Sequence, residues 1–188
     1  MSKTRLTLSL AGVAAAAMMA AAPVSQAADI TLRLHSFLVP VANPVKTFIL
    51  PWMEKVNKAA NGKMEVKGYW HMQLGGKPPQ LLDQVRDGVV DIIWTVPGFT
   101  AGRMPRVEPF ELPFVHKDAL SSTLALQDYQ EKHLMDTDLK DYKPILLHVQ
   151  QGYLFQTKKP ILKMADLKGV KIRAASRSGV WFLESVGA

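Results

Sequence analysis

The segment Val89–Val96 limits the fold more than any other stretch of this chain. It is apolar almost throughout, broken only by Asp91 and Thr95, and rich in β-branched residues. A strand that dense in apolar side chains has to be covered on both faces, which is the situation of a parallel sheet between helices. The segments before it fit that arrangement. Ile30–Leu34 alternates apolar and polar residues as a strand does. Val45, Phe48, Ile49, Trp52 and Val56 then form the single stripe of an amphipathic helix, with Asn61-Gly62 as its stop. Lys63–Tyr69 returns to alternation. Leu81, Leu82 and Val85 mark a short helix closed by Gly88. The order β-α-β-α-β predicts an α/β architecture with right-handed crossovers.

Past that strand, residues 97–113 hold four prolines and two glycines and read as a long irregular crossing. Ala119–Lys132 reads as a helix. Pro144–Val149, Tyr153–Thr157 and Val170–Arg173 read as strands, and Ser178 as the cap of a last helix carrying Val180, Trp181, Leu183 and Val186. That helix brings Trp181, Phe182 and Leu183 to the end of the sequence with nothing after them to cover it. The expectation is therefore a chain that forms the front part of a longer two-lobed protein.

The N-terminus reads as an address rather than as structure. Lys3 and Arg5 precede an apolar, alanine-rich run over residues 6–22, and Pro23-Val24-Ser25-Gln26-Ala27 supplies small residues for cleavage after Ala27. Without Lys3 and Arg5 the 23 basic residues fall to 21 against 16 acids, a net charge of +5, which gives little support to a nucleic-acid partner. No later stretch approaches the 18 apolar residues of a spanning helix, so the mature chain is expected to be exported without inserting in a membrane. With no cysteine, the chain has no disulfide framework, no thiolate metal site and no Cys nucleophile.

The residues offer little to catalysis. The five histidines are scattered, with no pair at i, i+4. Gly76-Lys77 is followed by Pro78 where a phosphate loop needs Ser or Thr, and no G-x-S-x-G elbow occurs. Asp83, Asp87 and Asp91 are split between a helix and the next strand and do not converge on a metal. No cofactor is expected. What remains is an anion site. Residues 143–177 hold eight basic residues and one acid, Asp166. Arg173 ends an expected strand just before a helix, where α/β proteins collect anions, and its guanidinium can grip both oxygens of a carboxylate. The alternatives at that point are an ion pair with Asp166 or an arginine facing solvent.

Several stations, in order, resemble the periplasmic solute-binding subunits of TRAP transporters, the DctP-type C4-dicarboxylate-binding family. They are Gly62-Lys63-Met64-Glu65-Val66, Gln73-Leu74-Gly75-Gly76, the run Gln84 to Ile92, Phe110-Glu111-Leu112-Pro113-Phe114, and Asp166 to Arg173. The resemblance implies two α/β lobes that close on a small organic acid and deliver it to membrane permease subunits in the periplasm. Residues 1–27 would be the signal peptide, 28–150 the first lobe and 151–188 the start of a second lobe, cut short. It also implies that Arg173 is the carboxylate-binding arginine. With less weight it places Phe37, after the first strand, and Phe99, Tyr153 and Ser176 at the pocket. Trp94 and Arg103 join them from the residues themselves, Trp94 otherwise being core and Arg103 otherwise facing solvent.

A pocket lined by Phe37, Trp94, Phe99 and Tyr153 would favour an acid with an apolar or aromatic body, since burying unpaired hydroxyls costs about 1–3 kcal/mol each. The expected function is capture and transport, not catalysis. The rivals are an exported enzyme acting on anionic substrates and an envelope protein binding polyanions through residues 143–177.

Overall fold

The computed structural model describes residues 28–188, so the expected signal segment, 1–27, lies outside the described residues. Strand β1 (Ile30–Ser36) is the centre of a three-stranded, wholly parallel sheet of order β2-β1-β3. β2 (Met64–Tyr69) pairs along one edge of β1, from Ile30 opposite Met64 to His35 opposite Tyr69. β3 (Ile92–Trp94) pairs along the other, with Leu34 opposite Ile92 and Ser36 opposite Trp94. Helix α1 (Leu50–Ala60) carries the chain from β1 to β2, and α2 (Leu81–Arg86) carries it from β2 across to β3. The expected β-α-β-α-β order is therefore present.

The sheet divides two cores, as the dense third strand requires. On one face Leu34 and Val66 pack against Val45, Ile49 and Met53 of the α1 region, with Ile92 and Trp94 alongside. On the other face Leu82, Met104, Val107, Leu126, Leu134 and Leu139 form a second cluster, and Ile93 packs against it. Neighbours Ile92 and Ile93 thus serve opposite cores, the two-residue period of a strand covered twice. Burying a Leu of this kind contributes about 1.5–3 kcal/mol.

Local chemistry explains how these elements start and stop. α1 opens with a widened π turn over Val45–Ile49, next to Pro51, which has no N–H to offer a carbonyl one turn back. It ends at Asn61 in the left-handed region (φ 48°), followed by Gly62 (φ 83°), the stop that the sequence signalled. Asn57 then clamps α1 to β2, its amide accepting from Val66 N–H at 2.7 Å and donating to Val66 O at 3.2 Å. Helix α3 (Ala119–Tyr129), capped by Asp118 and prolonged by a π turn over Gln130–Leu134, covers the second core where a helix was expected.

Four expectations need correction. The third strand is Ile92–Trp94 rather than Val89–Val96, because Val89 and Val90 turn back to bond Gln84 O behind Gly88. Pro144–Val149, Tyr153–Thr157 and Val170–Arg173 form no strands, since a ladder needs a neighbour and none of these segments pairs with one among the described residues. The crossing 97–113 is not wholly irregular and includes two 3₁₀ turns, Pro97–Thr100 and Glu108–Glu111. The cap of the last helix, α4 (Arg177–Ser185), is Ser176 and not Ser178. Ser176 has the extended backbone a cap needs (φ −134°, ψ 166°), and its hydroxyl accepts from Gly179 N–H at 3.3 Å.

Candidate functional site

In a sheet of order 2-1-3, the crossovers from β1 to β2 and from β2 to β3 run in opposite directions. This opens a crevice at the carboxyl ends of β1 and β3, the place where open α/β sheets take ligands. Phe37 follows β1 directly and Phe99 sits in the turn after β3. Their rings meet edge to face with centroids 5.1 Å apart, both half-buried. His35 and Ser36, the last two residues of β1, are fully buried. His35 accepts from Leu74 N–H through Nε2 at 3.3 Å, which leaves Nδ1 to donate to Gln84 Oε1 at 2.7 Å. That network holds the Gln73–Gly75 turn against α2 and accounts for His35 structurally.

The crossing folds back beneath this crevice. Gly98 lies buried beside Phe99, and a Cβ at position 98 would collide with the Glu111 carboxylate. Ser178 Oγ donates to Glu111 O at 3.4 Å and accepts from the Ser176 hydroxyl at 3.0 Å. Burial pushes the Glu111 carboxyl above its usual range, against the pull of the nearby Ser176 hydroxyl and Gly98 N–H. Local desolvation and then the Glu111 charge raise the Tyr153 hydroxyl, while Arg173 pulls it down, although the residue as a whole is exposed. Glu111 thus lies against Gly98, the neighbour of Phe99, while its backbone carbonyl meets Ser178 two residues past Ser176.

Arg173 is exposed, three residues before the Ser176 cap, and among the described residues it forms no salt bridge. Asp166, its possible partner, instead accepts from Leu162 and Lys163 N–H at 3.0 and 3.2 Å. Arg103 is committed elsewhere. It pairs with Asp83 at 2.9 Å and donates to Tyr142 Oη at 3.3 Å, bracing the crossing on α2. Trp94, at the carboxyl end of β3, packs on the α1 face between Phe48 and His148, at 5.7 and 5.0 Å between centroids, apart from the Phe37–Phe99 pair.

The basic stretch shows no single surface. Arg177 is held by Glu108 at 2.8 Å and stacks over Trp181 at 5.1 Å. Among the described residues no group of three or more His, Asp or Glu could hold a metal ion, and no helix is long and apolar enough to cross a membrane. Sequence reasoning missed Glu111 as a member of the site. Nothing along the chain announces that the crossing returns it to Gly98.

With this geometry stand the matches to known proteins. The model of the bacterial extracellular solute-binding protein family 7, DctP, matches residues 35–188, and the chain belongs to that family. It is 45% identical to a marine metagenome TRAP solute-binding protein specific for aromatic acid ligands, solved with metahydroxyphenylacetate. The TM-score is 0.78, covering 85% of this chain and 50% of that one. A TRAP solute-binding protein from Rhodoferax ferrireducens, solved with copurified benzoate, is 42% identical with a TM-score of 0.78, covering 84% of this chain and 49% of that one. The protein named "Outer membrane transporter protein TsaT" of Comamonas testosteroni is 34% identical, over 92% of this chain and 52% of its own length. The chain spans about half the length of these relatives.

Proposed function

We propose that this chain is the front part of the solute-binding subunit of a TRAP transporter. The subunit captures a small aromatic carboxylate in the periplasm and passes it to membrane permease subunits. Residues 1–27 serve as a cleaved export signal, 28–150 as the first lobe and 151–188 as the start of the second. The observation that carries the reading is the Phe37–Phe99 edge-to-face pair at the sheet's switch point, beside Gly98 and the Glu111 side chain packed against it. The rings offer an apolar wall for an aromatic body, and Arg173, free of a salt-bridge partner among the described residues, offers a two-pronged grip on the carboxylate. Tyr153, whose hydroxyl responds to Arg173, and Ser176, three residues on at the start of α4, are the further polar groups assigned to the site. Aromatic acids bound by the relatives from the marine metagenome and Rhodoferax ferrireducens support that substrate class. Trp94 lines the same strand end from the α1 side, and Arg103 steadies the crossing by holding Asp83.

Mechanistically this is capture rather than turnover. Approach of a carboxylate to Arg173, followed by exclusion of water, strengthens the ion pair in a medium of lower dielectric. A ligand at 100 times its Kd should then stabilise the folded protein by about 2.7 kcal/mol. The test is thermal denaturation of the complete gene product with benzoate, with and without Arg173→Ala. Removing one partner of a desolvated charge pair typically costs about 2–5 kcal/mol of binding, so the variant should lose the benzoate-dependent rise in Tm. Unchanged stabilisation would overturn the assignment.

A further inference from the structure

The segment that bears Arg173 pairs with no strand among the described residues, so its place relative to the aromatic wall is set by its two ends. Both ends are tied to α4. Upstream, Gly169 N–H donates to Gly187 O at 2.7 Å, just past the carboxyl end of that helix. Downstream, Ser176 is the helix cap, three residues after Arg173. Where α4 sits, Arg173 follows.

α4 is docked on the crossing at three points. Arg177 Nη2, at its first residue, donates to both carboxylate oxygens of Glu108, at 2.8 and 3.2 Å. Ser178 Oγ donates to Glu111 O at 3.4 Å, and the rings of Phe114 and Phe182 meet edge to face with centroids 6.0 Å apart. The Arg177–Glu108 pair is the charged contact of the three, and each partner is held from behind. Gly102 N–H donates to Glu108 Oε1, and the Arg177 guanidinium stacks over the Trp181 ring at 5.1 Å. Gly102 lies in the turn that follows Phe99, where Arg103 N–H donates to Thr100 O at 3.0 Å. A path of hydrogen bonds and short chain thus runs from Phe99 through Gly102, Glu108 and Arg177 to Ser176 and Arg173.

A ligand that must touch a ring wall and a guanidinium at once binds best when their spacing is set beforehand, because ordering loops on binding subtracts from affinity. Resting on the reading that Arg173 anchors the ligand against Phe37 and Phe99, we infer that Arg177 and Glu108 are positioning residues. Their ion pair holds the carboxylate anchor at the spacing from the aromatic wall that an aromatic acid needs. A partly exposed pair adds little to stability, so its effect falls on affinity.

The experiment is isothermal titration of the complete gene product with benzoate, in the wild type, Arg177→Met, Glu108→Gln and the double variant. Met keeps an apolar stem over Trp181 and Gln keeps an acceptor for Gly102, while the ion pair is lost. Each single change should weaken benzoate about threefold or more, and the double change should weaken it no further than the worse single, because both remove the same contact. The Tm of the unliganded protein should fall by less than about 3 °C in all three variants. Smaller losses of affinity in the single variants, losses that multiply in the double, or a larger fall in Tm, as a merely structural role would give, overturn the inference. Arg173→Ala separates the two levels. If it abolishes benzoate binding while the ion-pair variants bind as the wild type does, only the positioning role fails. If it leaves benzoate bound, or if the wild type binds none, the anchor reading fails and the positioning role with it.

Discussion

Residues 30–94 and residues 143–175 contain similar raw material and end in different states. Both carry short extended runs of aliphatic and aromatic residues. In the first region Leu34 is 3% exposed and Val66 2%, with β1 hydrogen-bonded along both edges. In the second, Tyr153, Leu154 and Leu162 are 78%, 80% and 87% exposed, and a single 3₁₀ turn, Met164–Leu167, is the one element formed. The difference is one of neighbours. β-propensity expresses how well a side chain packs on a pleated, half-buried surface. β1 receives that surface from β2 and β3, whereas residues 153–157 meet no partner strand among the described residues.

The contrast should be largest in backbone protection. In the 188-residue chain, amides of Leu32 and Leu34 open only with the parallel sheet, while those of residues 153–157 lie outside any ladder. Hydrogen exchange followed by mass spectrometry should show the β1 segment exchanging at least about a thousandfold more slowly than residues 153–157. Comparable protection in the two segments would break the comparison outright.

Side-chain truncation should give the next largest effect. Leu34→Ala empties a site between β1 and α1 and should lower unfolding free energy by about 2–5 kcal/mol. Leu162→Ala, at an exposed position, should change it by no more than about 0.5 kcal/mol. Urea titrations of the two variants check this. A large loss at Leu162 would mean that the second region has a core of its own.

The same contrast marks how far the sequence could be read. Short-range patterns sufficed for β1, α1, β2 and α2, since each carries its own period and its own stop, such as Asn61-Gly62. They overran at the third strand, where Val89 and Val90 were as apolar as Ile92 and Ile93 but bonded back to Gln84. They failed at 144–149, 153–157 and 170–173, where partners rather than propensity decide. The site was legible to the same degree. Phe37 and Phe99 were placed at the pocket by the family resemblance alone, and they meet because each follows a strand at the switch point of the 2-1-3 sheet. Glu111 and Gly98 meet only because the proline-rich crossing folds back on itself, and Arg103 finds Asp83 across 20 residues on a different element. The cap was expected at Ser178, and the backbone angles put it at Ser176.

The smallest effect concerns the seam between the two regions, where Glu108 in the crossing pairs with Arg177 at the start of α4. Both side chains are partly solvent-exposed, so the pair should contribute no more than about 1 kcal/mol, and Arg177→Ala should lower stability by that much or less. Its pH signature is more telling than its size. The Gly102 N–H and then Arg177 hold the Glu108 carboxyl below its ordinary 4.5. A depressed folded value contributes stability that is present above pH 4.5 and lost as pH falls through the folded value. Glu111 runs the other way. Burial raises it, so its contribution is complete below 4.5 and lost as pH rises through its folded value. Urea titrations at several pH values should therefore show Arg177→Ala shrinking the acid-side loss attributable to Glu108. Glu111→Gln should instead remove a loss on the rising-pH side. If the two substitutions shifted the profile in the same sense, the crossing would not carry two oppositely tuned carboxylates three residues apart.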